Sequence, residues 1–177
     1  AAVEAVCAPE PQPHIVLTAP TAGGKTRPYI FACLREIARG RNALALFPMK
    51  AVLFEVAHVL GEMTRAASGD CIRRRIDPRA PAELTYGGEF DLWLPDERAA
   101  GGRRCVCVCW SVWCGSRHDK AMRDHEMSPF FSTVNLLLAT PDKVAENSSG
   151  KSSEQVWRKL PPAWARALGT LVVDEAL

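Results

Sequence analysis

Short apolar runs alternate with helix-length amphipathic segments early in the chain, and this alternation constrains the fold more than any other feature. Residues 14–18 (HIVLT) and 43–47 (ALALF) have the length and apolar content of buried strands. Residues 25–39 carry apolar side chains at helical spacing, and residues 50–63 repeat that period. Strands that alternate with helices of this length favour a parallel sheet covered on both faces. We therefore predict an α/β domain with three layers, α/β/α, and a mainly parallel sheet.

Four later apolar segments continue the pattern toward the end of the chain. They have the length of strands, and they are residues 83–86, 105–110, 135–140 and 170–174. A chain of 177 residues is long enough for one well-packed domain and short for two. We therefore predict a single domain over residues 1–177.

Charge and hydropathy narrow the class of protein. The formal net charge is +2, and no apolar run approaches the roughly 20 residues that a membrane span needs. The first residues lack the basic leader and long apolar core of a signal peptide. Seven cysteines without such a signal favour reduced thiols, so we expect a cytoplasmic protein with no membrane partner. Charge alone leaves open whether the arginines at 73–75, 79, 103 and 104 form a solvated face or a phosphate-binding patch.

Residues 19–26 (APTAGGKT) lie between an apolar run and a helical segment, which is the context of a phosphate-binding loop. Such a loop holds phosphate oxygens with backbone N–H groups at a helix N-terminus, and its lysine contacts the terminal phosphates. The pattern G-x-x-x-x-G-K-S/T is matched except at its first position, where Ala19 stands. The predicted nucleotide cradle consists of Thr21, Ala22, Gly23, Gly24, Lys25, Thr26 and Arg27. The alternative is a glycine turn with no ligand.

A nucleotide site also needs a divalent cation, and the end of the chain offers a carboxylate for it. Asp174 ends a predicted strand, where it is placed to hold the Mg²⁺ that neutralises charge between the last two phosphates. Glu175 follows it and is placed to orient or deprotonate an attacking water. By themselves the two residues also fit an acidic pair at a strand end, and it is the loop at residues 19–26 that favours the nucleotide interpretation.

Five segments, taken in order, resemble the motifs of the first domain of the superfamily 2 DExD/H-box helicases. Residues 19–26 resemble motif I, and residues 43–55 resemble motif Ia, with Pro48, Met49 and Lys50 in its Pro-Thr-Arg/Lys element. The sequence YGG at residues 86–88 is similar to the glycine doublet. Residues 136–144 (LLLATPDKV) resemble motif Ib, and residues 172–177 (VVDEAL) resemble motif II.

The resemblance implies an ATP hydrolase that moves along or unwinds DNA or RNA, built on the RecA-like P-loop NTPase fold. It implies that Lys25 contacts the outer phosphates, that Thr26 and Asp174 hold Mg²⁺, and that ATP is the cofactor. It further implies that Glu175 activates water, which makes Glu175, Asp174 and Lys25 the catalytic residues. The groove motifs imply backbone contacts with nucleic acid from Pro48, Lys50, Gly87, Gly88, Thr140, Pro141 and Asp142.

The sequence departs from the family pattern at three positions. Ala22 stands in place of Gly, which weakens nucleotide binding if that position needs a positive φ. Met49 replaces Thr, and Leu177 replaces the His or Asp that names the subfamilies. The family's second motor domain, with its arginine finger, would follow Leu177, so we expect this chain alone to bind nucleotide weakly and to hydrolyse it negligibly. The alternatives are a double-strand translocase of the restriction or remodelling type, and a nucleic-acid-binding scaffold with a decayed nucleotide pocket.

A cysteine-rich segment separates the glycine doublet from motif Ib. At about residues 89–133 it is longer than such a connection normally needs, which indicates an insertion or an elaborated strand and helix. Zinc at Cys105, Cys107, Cys109 and Cys114 is one interpretation. Cys-x-Cys-x-Cys spacing fits a strand better, because alternate side chains of a strand face opposite ways. We therefore expect free cysteines in a core strand.

Overall fold

A five-stranded sheet organises this computed structural model, which describes residues 24–68, 87–95, 102–114, 128–144 and 160–174. The strands are β1 (Asn42–Leu46), β2 (Gly87–Pro95), β3 (Arg103–Trp113), β4 (Leu136–Ala139) and β5 (Leu168–Val173). The helices are α1 (Thr26–Ala38), α2 (Lys50–Ser68), α3 (Ser128–Thr133), α4 (Pro141–Val144) and α5 (Pro162–Arg166).

The sheet has the order β2-β3-β4-β1-β5 and is mostly parallel. Strands β3, β4, β1 and β5 run parallel to one another, whereas β2 pairs antiparallel with β3. Only residues 96–102 connect β2 to β3, and a parallel pair needs a crossover of about a dozen residues or more. The predicted α/β class with a mainly parallel sheet is therefore confirmed, with one antiparallel strand at its edge.

Most predicted elements are present, with boundaries that differ by a few residues. The helices predicted at 25–39 and 50–63 correspond to α1 and α2, and the latter continues to Ser68. The strands predicted at 43–47, 105–110, 135–140 and 170–174 correspond to β1, β3, β4 and β5. The strands predicted at 14–18 and 83–86 lie outside the described residues.

Two apolar clusters lie on opposite faces of the sheet and define three layers. Helices α1 and α2 cover the first face, where Ala43 and Ala45 of β1 and Phe47 directly after it are buried. Helices α3, α4 and α5 cover the second face, where Leu44 and Leu46 of the same strand are buried. Strand β4 is buried along its whole length, as expected for a central parallel strand covered by helices on both sides.

The cysteine-rich segment is part of this sheet. Of residues 89–133, the described portion supplies most of β2, all of β3 and helix α3. Six consecutive residues of β3, from Val108 to Trp113, are buried. The described part of this segment is thus built into the sheet and the layer on its second face.

The glycine doublet lies in the interior, where α2, β2 and β3 meet. The Trp110 indole Nε1 donates to the Thr64 hydroxyl at 3.0 Å, and that hydroxyl donates to the Leu60 carbonyl at 2.8 Å. Gly87 and Gly88 of β2 are both buried at this junction, next to Trp110 of β3. A Cβ at Gly87 would lie 2.2 Å from the Trp110 carbonyl oxygen, so glycine at this position permits the close approach of β2 to β3.

Among the described residues, no helix combines the length and apolarity needed to cross a membrane.

We expect Gly87→Ala to lower the free energy of unfolding by about 1–3 kcal/mol, because the added methyl forces the β2 and β3 backbones apart. Chemical denaturation followed by circular dichroism measures the change. Gly61→Ala is the matched control, because nothing lies within 4 Å of a Cβ added there within α2. Alanine has the higher helix propensity, so this control should gain up to about 1 kcal/mol. Equal effects of the two substitutions would contradict the close approach at Gly87.

Candidate functional site

The candidate site lies at the edge of the sheet where the parallel strands end. Backbone hydrogen bonds align these ends. The Phe47 amide, after β1, donates to the Ala139 carbonyl of β4 at 3.0 Å, and the Asp174 amide, after β5, donates to the Leu46 carbonyl of β1 at 3.0 Å. After β1 the chain enters α2 on the first face, whereas after β4 it enters α4 on the second face. The crevice between two adjacent strands whose connections leave in this way is the usual ligand site of an open α/β sheet.

The start of α1 carries the described part of the predicted nucleotide loop. Gly24 has a φ of +76°, a conformation that L side chains rarely adopt, so this turn into the helix requires glycine. Lys25 and Thr26 are half-buried at the first turn, and Arg27 is exposed. Thr21, Ala22 and Gly23 lie outside the described residues. The described part of the loop therefore has the turn-then-helix form that the sequence predicts.

Asp174 lies at the carboxyl end of β5 and contacts the first turn of α1. The Tyr29 hydroxyl donates a hydrogen bond of 2.7 Å to the Asp174 Oδ1. Asp174 is 6% exposed, so its carboxylate is withdrawn from bulk water. Tyr29 lies three residues after Thr26, and residues at that spacing share one face of a helix. The two segments predicted to share a magnesium-bound nucleotide thus lie next to each other, while Glu175 falls outside the described residues.

A second group of charges lies at the ends of β3 and β4. The Lys143 Nζ is 3.0 Å from the Asp142 Oδ2. Burial by itself raises the pKa of Asp142, but the Thr140 hydroxyl and the Lys143 ammonium outweigh it, so the pKa lies below its usual 3.8. Burial raises the pKa of the Cys114 thiol, although the nearby Lys50 and Lys143 ammonium groups partly oppose it. Lys50 follows β1 and Lys143 follows β4, so both lysines lie at the carboxyl edge of the sheet.

The predicted nucleic-acid contacts divide into exposed and buried residues. Four of them are exposed at the carboxyl edge, namely Pro48, Lys50, Pro141 and Asp142. Thr140 is buried. Gly87 and Gly88 are also buried, and their close contacts with β3 and α2 give them a packing role, while their predicted contact with nucleic acid stays a prediction. The exposed residues lie around the crevice between β1 and β4.

Sequence reasoning missed two residues of this site, Tyr29 and Lys143. Helical spacing from Thr26 was a signal for Tyr29, because it placed the phenol on the same face as a predicted magnesium ligand. Lys143 directly follows the Thr140-Pro141-Asp142 element, so its charge was visible in the motif itself. Tyr29 is 145 residues from Asp174 in the sequence, and only the packing of α1 beside β5 brings them together.

The four cysteines considered for zinc do not converge on one point. Val106 and Val108 pack into the cluster on the first face, and Cys109 packs into the cluster on the second. Cys105 and Cys107 alternate with those valines and are exposed. Cys114 is buried in the first-face cluster, on the opposite side of the sheet from Cys109. Within the described part of the chain, no group of three or more His, Cys, Asp or Glu side chains is arranged to hold a metal ion.

We expect thiol labelling of the native protein to distinguish the exposed cysteines from the buried ones. Cys105 and Cys107 should react with an aromatic disulfide reagent, whereas the buried Cys33, Cys109 and Cys114 should react only after unfolding. Burial raises the pKa of Cys33 to about 12, which adds a chemical barrier to its lack of access. Mass spectrometry of labelled peptides identifies each site.

The matched control for this labelling is Cys105→Ser/Cys107→Ser, which should lose the fast reaction in the native protein. The parent protein, purified without chelators, should contain less than about a tenth of an equivalent of zinc. Protection of Cys105 and Cys107 that a chelator removes would contradict the free-thiol interpretation.

Comparison of the chain with known proteins finds no matching family model, no similar curated protein and no similar solved structure.

Proposed function

We propose that this chain is the ATP-binding motor domain of a nucleic-acid helicase, of the RecA-like P-loop type, which couples ATP binding and hydrolysis to movement on or unwinding of DNA or RNA. The observation that carries this proposal is the hydrogen bond between Tyr29 and Asp174. It joins the first turn of the helix after the glycine loop to the acidic end of β5. A magnesium-bound triphosphate requires a phosphate cradle and a carboxylate close enough to share one cation.

The residues of the nucleotide site have distinct roles in this proposal. The backbone amides of residues 21–27 hold the phosphates, and the Lys25 ammonium contacts the outermost ones. Mg²⁺ would bind through the Thr26 hydroxyl and the Asp174 carboxylate, and it supplies positive charge between the last two phosphates when bound. The fit is supported by the donor set, because hydroxyl and carboxylate oxygens are ligands that Mg²⁺ prefers. Glu175 orients the attacking water and accepts its proton.

The nucleic-acid strand has a separate place in this proposal. Lys50 and Pro48 follow β1, and Pro141 and Asp142 follow β4, so all four border one crevice. Lys50 is exposed and donates to a phosphate, whereas Asp142 accepts from a ribose hydroxyl where the strand is RNA. Contacts of this kind hold the strand without reading its bases. The domain by itself is therefore expected to bind DNA or RNA with little sequence preference.

Two lysine variants test the proposal, and each serves as the control for the other. Lys25→Ala should weaken binding of a fluorescent ATP analogue in Mg²⁺ by about 10–100-fold, because it removes a charge-assisted contact of about 1.5–3 kcal/mol. Lys50→Ala should leave nucleotide affinity unchanged. In return, Lys50→Ala should weaken binding of a single-stranded oligonucleotide and reduce the slope of log affinity against log salt by about 1.

Fluorescence anisotropy with each probe measures both affinities on the same preparations. If both variants bind nucleotide like the parent, the assigned phosphate site is wrong. A parent that binds the oligonucleotide but no nucleotide at any Mg²⁺ concentration would support the scaffold alternative. Glu175→Gln, assayed together with a second motor domain, should retain nucleotide binding and lose turnover.

A further inference from the structure

The Tyr29 hydroxyl lies 2.7 Å from one oxygen of a buried carboxylate, and this geometry has consequences for how that carboxylate binds a cation. Asp174 and Tyr29 are 145 residues apart in sequence, so the contact exists only because α1 packs beside β5. A hydrogen bond from a hydroxyl to an ionised carboxylate at this length is charge-assisted and roughly twice as strong as a neutral one. The low exposure of Asp174 strengthens it further, because water competes weakly there.

The phenol is a rigid donor. Its neighbours on α1, Pro28 and Ile30, are both buried, so the helix is anchored on each side of Tyr29. Ile30 belongs to the first-face cluster together with Val172 of β5. A tyrosine side chain has few rotatable bonds, so an anchored helix fixes where its hydroxyl points. Tyr29 therefore constrains the orientation of the Asp174 carboxylate.

We propose that Tyr29 is a positioning residue, which holds the Oδ1 of Asp174 by its 2.7 Å hydrogen bond and so presents Asp174 as a one-oxygen ligand for a small six-coordinate divalent cation. This inference rests on the proposed nucleotide function. Mg²⁺ requires nearly octahedral geometry and binds through one or two carboxylates with several waters. Ca²⁺ takes six to eight oxygens and often binds both oxygens of a carboxylate. A carboxylate held by one oxygen thus favours Mg²⁺ over Ca²⁺.

The helix places a second oxygen ligand on the same side. Thr26 precedes Tyr29 by three residues, so the threonine hydroxyl and the phenol lie on one face of α1. Tyr29 thereby has two roles. It orients the Asp174 carboxylate, and it fixes the position of that carboxylate relative to α1, which carries Thr26. Hydrogen-bond partners of metal-binding carboxylates commonly change metal affinity by about 10–100-fold when they are removed.

Cation-dependent nucleotide binding tests this inference. A fluorescent ATP analogue is held at a fixed concentration while Mg²⁺ or Ca²⁺ is titrated into the parent and into Tyr29→Phe. The variant should need about 10–100-fold more Mg²⁺ for half-maximal binding, and its affinity for the analogue in EDTA should be unchanged. The Ca²⁺ concentration for half-maximal binding should change less. The ratio of the Ca²⁺ to the Mg²⁺ concentration needed should therefore be smaller in the variant than in the parent.

Three further variants complete the design. Asp174→Asn should abolish the Mg²⁺ dependence, and Tyr29→Phe should then have no additional effect in that background. Phe31→Leu removes an exposed aromatic side chain from the same helix and should leave the Mg²⁺ titration unchanged. Thermal unfolding of every variant without ligand shows whether the site is folded, and we expect all four proteins to unfold cooperatively.

The outcomes separate the two proposals. If the parent binds the Mg²⁺-bound analogue and Tyr29→Phe titrates identically with both cations, the positioning role is overturned while the nucleotide function stands. A Tyr29→Phe variant that loses affinity equally in EDTA and in Mg²⁺ also overturns it, because the phenol then supports only the packing of α1 against β5. A parent that binds no analogue with any cation overturns the nucleotide function, and the positioning role with it.

Discussion

Burial of the central parallel strands on both faces is the constraint on which the rest of the structure depends. Strands β1 and β4 are almost wholly apolar and almost wholly buried. A strand of this kind is stable only when helices cover it on each side, because either face left open would expose contiguous apolar surface to water. The connections of β1 and β4 therefore leave toward opposite faces, and a crevice forms where these strands end. The candidate site lies along that edge because the edge is where the backbone turns and polar side chains find room.

Buried polar groups join neighbouring helices and strands and fix their relative positions, which apolar contacts alone do not specify. Thr64 and Trp110 link α2 to β3, and the Trp164 indole donates to the Val134 carbonyl at 2.7 Å on the second face. The buried Glu36 carboxylate pairs with Arg39 and Arg41, which ties the end of α1 to the start of β1. Buried polar groups are costly unless they are paired, so each link stabilises one specific register. The hydrogen bond between Tyr29 and Asp174 belongs to this set, with the difference that it lies beside the crevice.

The candidate site could be predicted from the sequence where its chemistry is local. Gly24, Lys25 and Thr26 are adjacent in the chain, and their order before an amphipathic helix predicted a phosphate loop and the start of α1. Asp174 was identified in the same way, from an apolar run that ends in a carboxylate. The glycine doublet was assigned to a nucleic-acid surface by resemblance, and the structure buries Gly87 against the Trp110 carbonyl. A glycine required for close backbone approach and a glycine required by a ligand have the same sequence signature, since both reflect a missing side chain.

The sequence by itself determined the element types, the α/β class and the candidate chemistry, because periodicity and short motifs depend on neighbouring residues. Tertiary structure alone decided which segments meet. Packing of α1 beside β5 brought Tyr29 to Asp174, and the alternation along β3 and into the residue after it put Cys109 and Cys114 on opposite faces of the sheet. Tertiary structure also decided that β2 pairs antiparallel with β3 at the edge of the sheet. The physical reason is that strand order and register are set by the summed burial of both faces and by the lengths of the connections, and no single segment carries that sum.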